Sequence, residues 1–294
     1  MRPFTATFVS IFPEVVRSYV SASILGRAQR AEKLLVEEVA IRDFALDKHK
    51  NVDDSPCGGG PGLVMRIDVV ERALAHAIKL DDQAANGTPR KRRVLLFDAA
   101  AKPFTQKDAK RLATYDHLVL LCGRYEGIDA RIHDLVDERV CIGDYVLTGG
   151  ELAGMVVLDA TVRHLPGVLG NEASAEDESF ADGAVEHRQY TRPIEHKGRR
   201  VPTILTSGNH PLIAKARRKD QLLRTKFSRP DLYANLELTK ADKKILKDEK
   251  IPTLDADGTQ LADTTHAEHE VVDDRGELST STSSSSTSTS STSD

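Results

Sequence analysis

Short apolar runs alternate with helical patterns through the first 170 residues, and this alternation constrains the fold more than any other feature. Four apolar runs are predicted to be strands: residues 5–12, 34–41, 94–97 and 117–122. Four segments have apolar residues at helical spacing: residues 13–32, 105–115, 128–136 and 151–164. Thr105 and Asp108 are spaced as a capping box at the start of the second helix. Strand–helix alternation predicts an α/β fold around a central sheet.

Charge is distributed unevenly along the 294 residues, although the net charge is only −4. Residues 185–230 contain 12 Lys and Arg but 3 Asp and Glu, whereas residues 256–294 contain 8 acidic residues and a single basic one, Arg275. Without that acidic end, the remaining chain has a net charge of +3. The net charge of the whole chain therefore conceals a basic region and an acidic terminus.

Composition predicts four parts of the chain. Residues 1–169 carry the strand–helix alternation, and residues 170–184 are acidic, rich in small residues and predicted to be a linker. Residues 185–255 are basic and mainly helical in pattern. Residues 256–294 end in a run of Ser and Thr that cannot bury enough apolar surface to offset its ordering entropy, so they are predicted to be disordered.

The basic region contains a predicted helix that begins at residues 209–211, with Pro211 in the first turn. Three of its apolar residues are predicted to face inward: Leu212, Ala216 and Leu223. Four of its basic residues are predicted to face water: Lys215, Arg217, Arg218 and Lys219.

Several classes of protein are disfavoured by the sequence. It contains no run approaching the roughly 20 apolar residues of a membrane helix, and its first residues do not resemble a signal peptide. Cys57, Cys122 and Cys141 have no paired spacing, which predicts neither a zinc site nor a disulfide framework. A cytoplasmic protein in a reducing compartment is the expectation.

Residues 51–62 have four glycines within five residues, which permits positive φ angles and close approach of the backbone to a ligand. No Gly-Lys-Ser or Gly-Lys-Thr follows, so the segment is not a Walker loop, nor is it a dinucleotide fingerprint. An ordinary turn would have the same composition.

Three more segments have the residue types of a ligand site. Residues 121–127 follow a predicted strand, and ligands of open α/β sheets bind at the carboxyl ends of strands. Residues 141–151 place glycines around an apolar stretch whose backbone could bind a flat heterocycle between Tyr145 and Leu147. Residues 163–179 join an arginine to a carboxylate cluster. Each segment also has a structural explanation. Residues 121–127 could be an ordinary strand-to-helix loop, residues 141–151 a strand bounded by glycines, and residues 163–179 an acidic surface loop.

These four segments occur in the same order, with similar spacing, in the TrmD-type tRNA (guanine-N1)-methyltransferases. The chain resembles that family over residues 4–240, and residues 10–14, 190–193 and 207–210 share further motifs with it. Each motif alone is weak, but the ordered set is specific. The resemblance implies a SPOUT methyltransferase domain with a trefoil knot, followed by a small helical tRNA-binding domain, in a homodimer whose active site lies at the subunit interface.

By resemblance, the methyl donor S-adenosylmethionine lies in the knot. The residues implied for its pocket are Phe97, Gly123, Glu126, Gly127, Ile142, Gly143, Asp144, Tyr145, Val146, Leu147, Thr148, Gly149 and Gly150. One departure from the family is the pair Asp98 and Ala99, where relatives have Ser-Pro.

The reaction needs a base for the N1 proton of guanine and a positive group for the charge that develops on O6. The resemblance assigns the second role to Arg163. It places the base in the following loop as an aspartate, but alignment without gaps puts Glu178 there, with Asp177 one residue earlier. Side-chain identity favours Asp177, and the greater length of Glu178 leaves it as the alternative.

The family modifies the guanine at tRNA position 37 when another guanine precedes it. The residues implied to contact the substrate are Asp53, Gly59, Ser207, Asn209 and His210. Candidates for phosphate contacts are Lys197, Arg199, Arg200 and residues 217–219. Magnesium is associated with the family's activity, although the sequence has no recognisable metal cage.

Three competing hypotheses remain. A catalytically silent RNA-binding protein is suggested by Glu178 alone. A phosphate-binding enzyme could use residues 57–62 as an anion loop, but the missing Lys-Ser or Lys-Thr argues against it. A knotted methyltransferase for another RNA position is disfavoured by the motifs at residues 190–193 and 207–210.

Overall fold

The computed structural model describes residues 2–84, 90–170 and 179–255. The described residues fall into two compact units, with the division between Glu186 and His187. The catalytic candidates Asp177 and Glu178 and the predicted tail, residues 256–294, lie outside the described residues.

A five-stranded sheet, parallel throughout, forms the centre of the first unit. The strands of this unit are β1 (Phe4–Ser10), β2 (Leu34–Ala40), β3 (Asp53–Asp54), β4 (Val64–Met65), β5 (Arg92–Phe97), β6 (His117–Leu121) and β7 (Glu138–Val140). The sheet order is β2-β1-β6-β5-β7, while β3 and β4 form a separate antiparallel pair. The α/β prediction is confirmed, and each of the four predicted strands corresponds to a strand of the sheet.

The helices of the first unit are α1 (Glu14–Val20), α2 (Ser23–Arg30), α3 (Ile67–Ala84), α4 (Gln106–Leu112) and α5 (Glu151–Val162), with 3₁₀ turns at Ile41–Phe44 and Ala130–Leu135. Thr105 and Asp108 form the predicted capping box at the start of α4. The helical pattern over residues 128–136 corresponds to a 3₁₀ helix at Ala130–Leu135 and not to an α-helix. α3 is not among the predicted helices.

The single helix predicted over residues 13–32 is two helices. The backbone is extended at Ala22, with ψ 163°, and Ser23 has a φ of 45°. Gly26 of α2 lies against the Ser21 carbonyl, where an added Cβ would stand 2.0 Å from the oxygen. This close approach sets the angle between α1 and α2, and apolar spacing does not reveal it.

Both faces of the sheet are buried, because side chains along a strand alternate between the two faces. On β1, Phe4, Ala6 and Phe8 pack with α1, α2, α4 and α5. Val9 of β1 belongs to the opposite layer, which also contains the buried face of α3. The two layers enclose the strands and leave the strand ends accessible for a ligand site.

The second unit is mainly helical, as predicted. Its elements are β8 (Glu195–His196), β9 (Arg199–Arg200), a 3₁₀ turn at Thr203–Thr206, α6 (His210–Ser228), α7 (Pro230–Ala234) and α8 (Lys240–Lys247). Its small core contains Ile204, Ile213, Ala216, Ile251 and Leu254. Asn209 is the N-cap of α6, with its Oδ1 accepting from the Leu212 amide at 3.2 Å, and Pro211 lies in the first turn. Among the described residues, no helix is long and apolar enough to cross a membrane.

The prediction that Lys219 faces water was wrong. Its side chain is buried, and its Nζ donates to the carbonyls of Asp248 at 2.9 Å and Ile251 at 2.8 Å. Arg218 is half-buried and its Nε donates to Asp242 Oδ1 at 2.8 Å. Both side chains hold the segment after α7 against α6, so neither is a freely exposed contact for phosphate.

Candidate functional site

A cavity of about 390 Å³ lies at the carboxyl ends of β5, β6 and β7. Its volume falls within the roughly 300–1,000 Å³ of small-molecule sites. Three neighbouring strands contribute to it, because each continues into a loop at the same edge of the sheet. The loops begin at Asp98, Cys122 and Cys141, and the last of them ends at the start of α5.

The loop after β7 closes onto the loop after β6. The Gly150 amide donates to the Gly123 carbonyl at 2.9 Å, and Arg124 and Gly149 form an antiparallel bridge. A Cβ at Gly150 would stand 2.8 Å from the Cα of Cys122, which is a backbone atom that a rotamer change cannot move aside. Only glycine fits at this position, which is also the N-cap of α5.

Nearly all of the residues predicted to bind the donor line this cavity. They are Phe97, Gly123, Glu126, Gly127, Ile142, Gly143, Tyr145, Val146, Leu147, Thr148, Gly149 and Gly150. Asp144 is the one that does not. Tyr145 is 57% exposed and its ring lies over Gly143, while Leu147 is only partly exposed. The cavity also has lining residues that sequence reasoning missed, including Arg124 and His133.

The glycine-rich segment joins the same site through β4. The Met65 amide donates to the Gly127 carbonyl at 2.9 Å, and the Glu126 amide donates to the Leu63 carbonyl at 3.0 Å. Gly62 packs so closely on Glu126 that an added Cβ would stand 2.5 Å from the carboxylate. Three of the four segments singled out in the sequence therefore meet at one edge of the sheet.

Asp53 and Gly59 lie on this glycine-rich side. Asp53 pairs with Met65 in the β3–β4 ladder. The pKa of Tyr125 in the cavity wall is raised mainly by burial and, to a smaller extent, by a hydrogen bond to Asp53. Gly59 has a φ of 80°, and within the described part of the chain an added Cβ there would meet no atom within 4 Å. Asp53 is thus tied to the cavity loop, whereas Gly59 stands on an open turn.

A buried carboxylate stands behind the cavity. Glu151 is 2% exposed, and its Oε1 accepts from the Ser10 hydroxyl at 2.6 Å and from Arg124 Nε at 3.1 Å. Burial, with a smaller contribution from Glu151, raises the pKa of the neighbouring Cys122 thiol well above its ordinary value. Cys122 therefore stays protonated, which argues against a nucleophilic role.

Asp98 also lines the cavity, at the position where the sequence departs from the family pattern. Its Oδ2 accepts from Arg139 Nη1 at 2.9 Å and its Oδ1 accepts from the Ala100 amide at 2.8 Å. The aspartate is therefore held by its own loop and by β7, which keeps it fixed beside the cavity.

Arg163 does not line the cavity of its own chain. It is the C-cap of α5, whereas Gly150 at the cavity is the N-cap. The other two catalytic candidates, Asp177 and Glu178, belong to the undescribed segment 171–178.

Ser207, Asn209 and His210 belong to the second unit, around the start of α6. The Ser207 hydroxyl donates to the Ile204 carbonyl at 2.8 Å and accepts from the Asn209 amide at 3.2 Å. These contacts and the Asn209 cap organise the turn, which leaves His210 exposed at the first position of the helix. Local capping explains why Ser207 and Asn209 occupy this turn, but it gives no structural role to the imidazole of His210.

Within residues 2–84, 90–170 and 179–255, no three His, Cys, Asp or Glu side chains come together as metal ligands.

Apolar side chains are exposed along the adjoining faces of α1 and α5. Val15 and Tyr19 are spaced by four residues on α1, as are Leu152 and Val156 on α5, and their exposed fractions range from 43% to 54%. The Tyr19 hydroxyl donates to Asp159 and links the two helices. We refer to these four residues as the α1–α5 apolar face.

Comparison with known proteins gives a consistent result. The family model for tRNA (Guanine-1)-methyltransferase TrmD matches residues 4–235. The tRNA (guanine-N(1)-)-methyltransferase of Latilactobacillus sakei is 45% identical over 245 residues, covering 83% of this chain and 97% of that protein. The protein of the same name from Leuconostoc mesenteroides is 47% identical over 238 residues, covering 81% and 95%. That of Deinococcus radiodurans is 44% identical over 238 residues, covering 81% and 83%.

Proposed function

Because the chain belongs to the tRNA (guanine-N1)-methyltransferase family, we propose that it transfers a methyl group from S-adenosylmethionine to N1 of guanine 37 in tRNA. Membership supports the general activity, which is methylation of guanine N1 in tRNA. The donor, the target position and the individual residue roles are the parts that we add.

The cavity at the ends of β5, β6 and β7 carries the proposal for the donor. Its glycine-rich loops present backbone groups at close range, and its partly apolar walls suit a purine and the methionine portion of the donor. The donor, when bound, supplies an electrophilic methyl group on a sulfonium. The trefoil knot implied by the family resemblance remains a prediction for this unit.

Catalysis requires the N1 proton to leave as the N–C bond forms and the bond between the methyl carbon and the donor's sulfur breaks, with its electron pair left on sulfur. We assign the base to Asp177 or Glu178, and a positioned carboxylate in this role typically contributes on the order of 10²–10⁴ in rate. Negative charge then develops on O6, where the guanidinium of Arg163 stabilises it.

The α1–α5 apolar face supports a homodimer. Exposed apolar patches on soluble proteins mark interaction surfaces, and a second copy would bury this one. Arg163 follows the last turn of α5, so pairing through that helix would carry it toward the cavity of the other chain. The active site would then combine the donor cavity of one subunit with the arginine of its partner.

The second unit is the proposed binding surface for the tRNA. Lys197, Arg199, Arg200 and Arg217 are all exposed there, although Arg200 also pairs with Glu195 at 3.3 Å. Phosphate contacts from such residues position the RNA, while selection of a guanine preceded by a guanine requires contacts to the bases. Asp53, Gly59 and His210 are the candidates that we retain for that selection. A tRNA substrate places the activity in the cytoplasm.

Calorimetric titration with S-adenosylhomocysteine, the demethylated donor, tests the donor site. Wild-type protein should bind it, and Gly150→Arg should abolish binding because the new side chain would be forced against Cys122. Gly170→Arg is the matched control, since a Cβ there meets no atom of a described residue within 4 Å. Equal binding by wild type and Gly150→Arg would show that the donor lies elsewhere.

A further inference from the structure

Arg124 is the one arginine among the residues that line the described cavity. Its backbone is fixed by the bridge to Gly149 and by its amide, which donates to Met65 Sδ at 3.1 Å. Its guanidinium lies over the Phe12 ring, 4.8 Å from the centroid. The side chain is 23% exposed, so its charge is partly withdrawn from solvent at the cavity wall.

Only one of the five guanidinium N–H donors is used in the part of the chain that the structure describes. Nε donates to Glu151 Oε1 at 3.1 Å, and neither terminal nitrogen of Arg124 donates to a described residue. The four remaining donors form the edge that matches a carboxylate or phosphate in a two-point contact. An anionic group of a ligand is therefore the expected partner.

We propose that Arg124 binds the carboxylate of the donor's amino-acid portion and that Glu151 positions Arg124 for this contact. The inference rests on the proposed donor. The same guanidinium chemistry would suit an RNA phosphate, but Arg124 is anchored on both sides by loops of the donor cavity. The donor has a single carboxylate, so a ligand bound between these loops brings one anion to this arginine.

Glu151 is suited to hold the guanidinium in place. It is 2% exposed and is itself held by the Ser10 hydroxyl, whose oxygen also accepts from the Phe12 amide at 2.9 Å. Ser10, Phe12 and Glu151 therefore fix the position of Arg124 from the end of β1 and the start of α5. Because the carboxylate occupies Nε, the guanidinium can rotate little and its terminal edge stays directed away from Glu151.

The test compares two ligands that differ only in the carboxylate. S-adenosylhomocysteine carries it, and 5′-deoxy-5′-(3-aminopropylthio)adenosine lacks it but keeps the amine. By calorimetry, Arg124→Gln should lower the affinity for S-adenosylhomocysteine by about 10- to 100-fold. It should lower the affinity for the ligand without the carboxylate by less than about two-fold. Arg124→Lys keeps the charge but loses the two-point contact of the guanidinium. Its affinity for S-adenosylhomocysteine should lie between those of Arg124→Gln and wild type. Arg131→Gln is the control, because Arg131 pairs locally with Asp129 and does not line the cavity.

Glu151→Gln tests the positioning role with the same pair of ligands. It should reduce the preference for the carboxylate-bearing ligand, whereas a purely structural role would weaken both ligands equally. Equal losses for both ligands in Arg124→Gln would overturn the proposal. The proposal would also be overturned if Arg124→Gln weakened only the binding of tRNA, measured in the absence of donor. That result would assign Arg124 to an RNA phosphate. If wild-type protein binds neither ligand, the proposed donor itself is wrong, and this failure is distinct from the other two.

Discussion

Gly150 and Arg163 cap opposite ends of α5. The helix between them has 12 residues, and a rise of 1.5 Å per residue makes it about 18 Å long. Gly150 borders the cavity while Arg163 lies at the far end, so one chain does not bring its own cavity and arginine together. Pairing of two chains through α5 is the arrangement that we propose to join them.

Arg163→Ala is predicted to reduce kcat by about 100-fold or more while leaving donor affinity unchanged. The reason is that Arg163 acts on charge that develops only in the transition state. Single-turnover methylation and calorimetric titration with S-adenosylhomocysteine measure the two quantities separately. Arg27→Ala, an exposed arginine on α2, is the control. Full turnover by Arg163→Ala would remove it from the mechanism.

Mixing two inactive variants tests whether the active site is shared. Arg163→Ala keeps an intact cavity, and Gly150→Arg keeps the arginine. Heterodimers of the two should regain activity at one of their two sites, because that site combines the intact cavity of one subunit with the intact arginine of the other. If the mixture stays inactive although heterodimers form, the site is not shared in this way.

Val156→Asp is predicted to disrupt the dimer, because it places a charge in the α1–α5 apolar face. Turnover should fall by about 100-fold or more, since Arg163 no longer reaches a partner cavity. Sedimentation velocity measures the oligomeric state. Leu46→Asp is the matched control, because Leu46 is 83% exposed and lies outside that face. A dimeric, active Val156→Asp protein would exclude this interface.

Asp177→Asn and Glu178→Gln are predicted to differ sharply in rate, because a single carboxylate takes the N1 proton. The variant that removes the base should lose on the order of 10²–10⁴ in single-turnover rate, and the other should stay close to wild type. Both variants should bind S-adenosylhomocysteine normally. Wild-type rates in both would place the base elsewhere in the chain.

Asp242→Asn is predicted to destabilise the second unit in a pH-dependent way. Hydrogen bonding to Arg218 is the main reason that the pKa of Asp242 lies at about 2, below its usual 3.8. The folded pKa is the lower one, so this stabilisation is present above about pH 4 and lost as the pH falls toward 2. The variant should lose about 2 kcal/mol of unfolding free energy at pH 7 and little at pH 2.

Urea unfolding followed by far-ultraviolet circular dichroism measures this difference at several pH values. Asp231→Asn is the control, because Asp231 pairs with Arg229 at the surface and its removal should have no measurable effect. An Asp242→Asn deficit that is the same at pH 2 and pH 7 would contradict the assigned pKa.

β6 and the second half of β5 could be predicted because burial on both faces makes each a continuous apolar run, whereas the short β7 (Glu138–Val140) has no such run and was missed. The break between α1 and α2 could not, since it depends on the contact between Gly26 and Ser21 and leaves apolar spacing unchanged. α3 had a readable signal: Val69, Val70, Ala73, Leu74 and Ala77 are spaced as one helical face and are buried. Strong local patterns were informative wherever packing agreed with them.

The site was predictable as a set of segments and not as a set of contacts. Glycine content and position after strands indicated the loops that form the cavity. The ion pair between Arg124 and Glu151 spans 27 residues, and no spacing rule connects them. Lys219 was misassigned for a similar reason, because the two carbonyls that hold it lie 29 and 32 residues further along the chain. The partners of charged side chains that are distant in sequence can be identified only once the fold is known.

Methyl transfer to defined transcripts tests the central claim most directly. Protein is incubated with methyl-labelled S-adenosylmethionine and an unmodified tRNA transcript that has guanine at positions 36 and 37, or one with adenine at 37. We predict label as 1-methylguanosine in the first transcript and none in the second. Equal labelling of both would assign the activity to another RNA position, and tRNA binding without label in either would identify a catalytically silent RNA-binding protein.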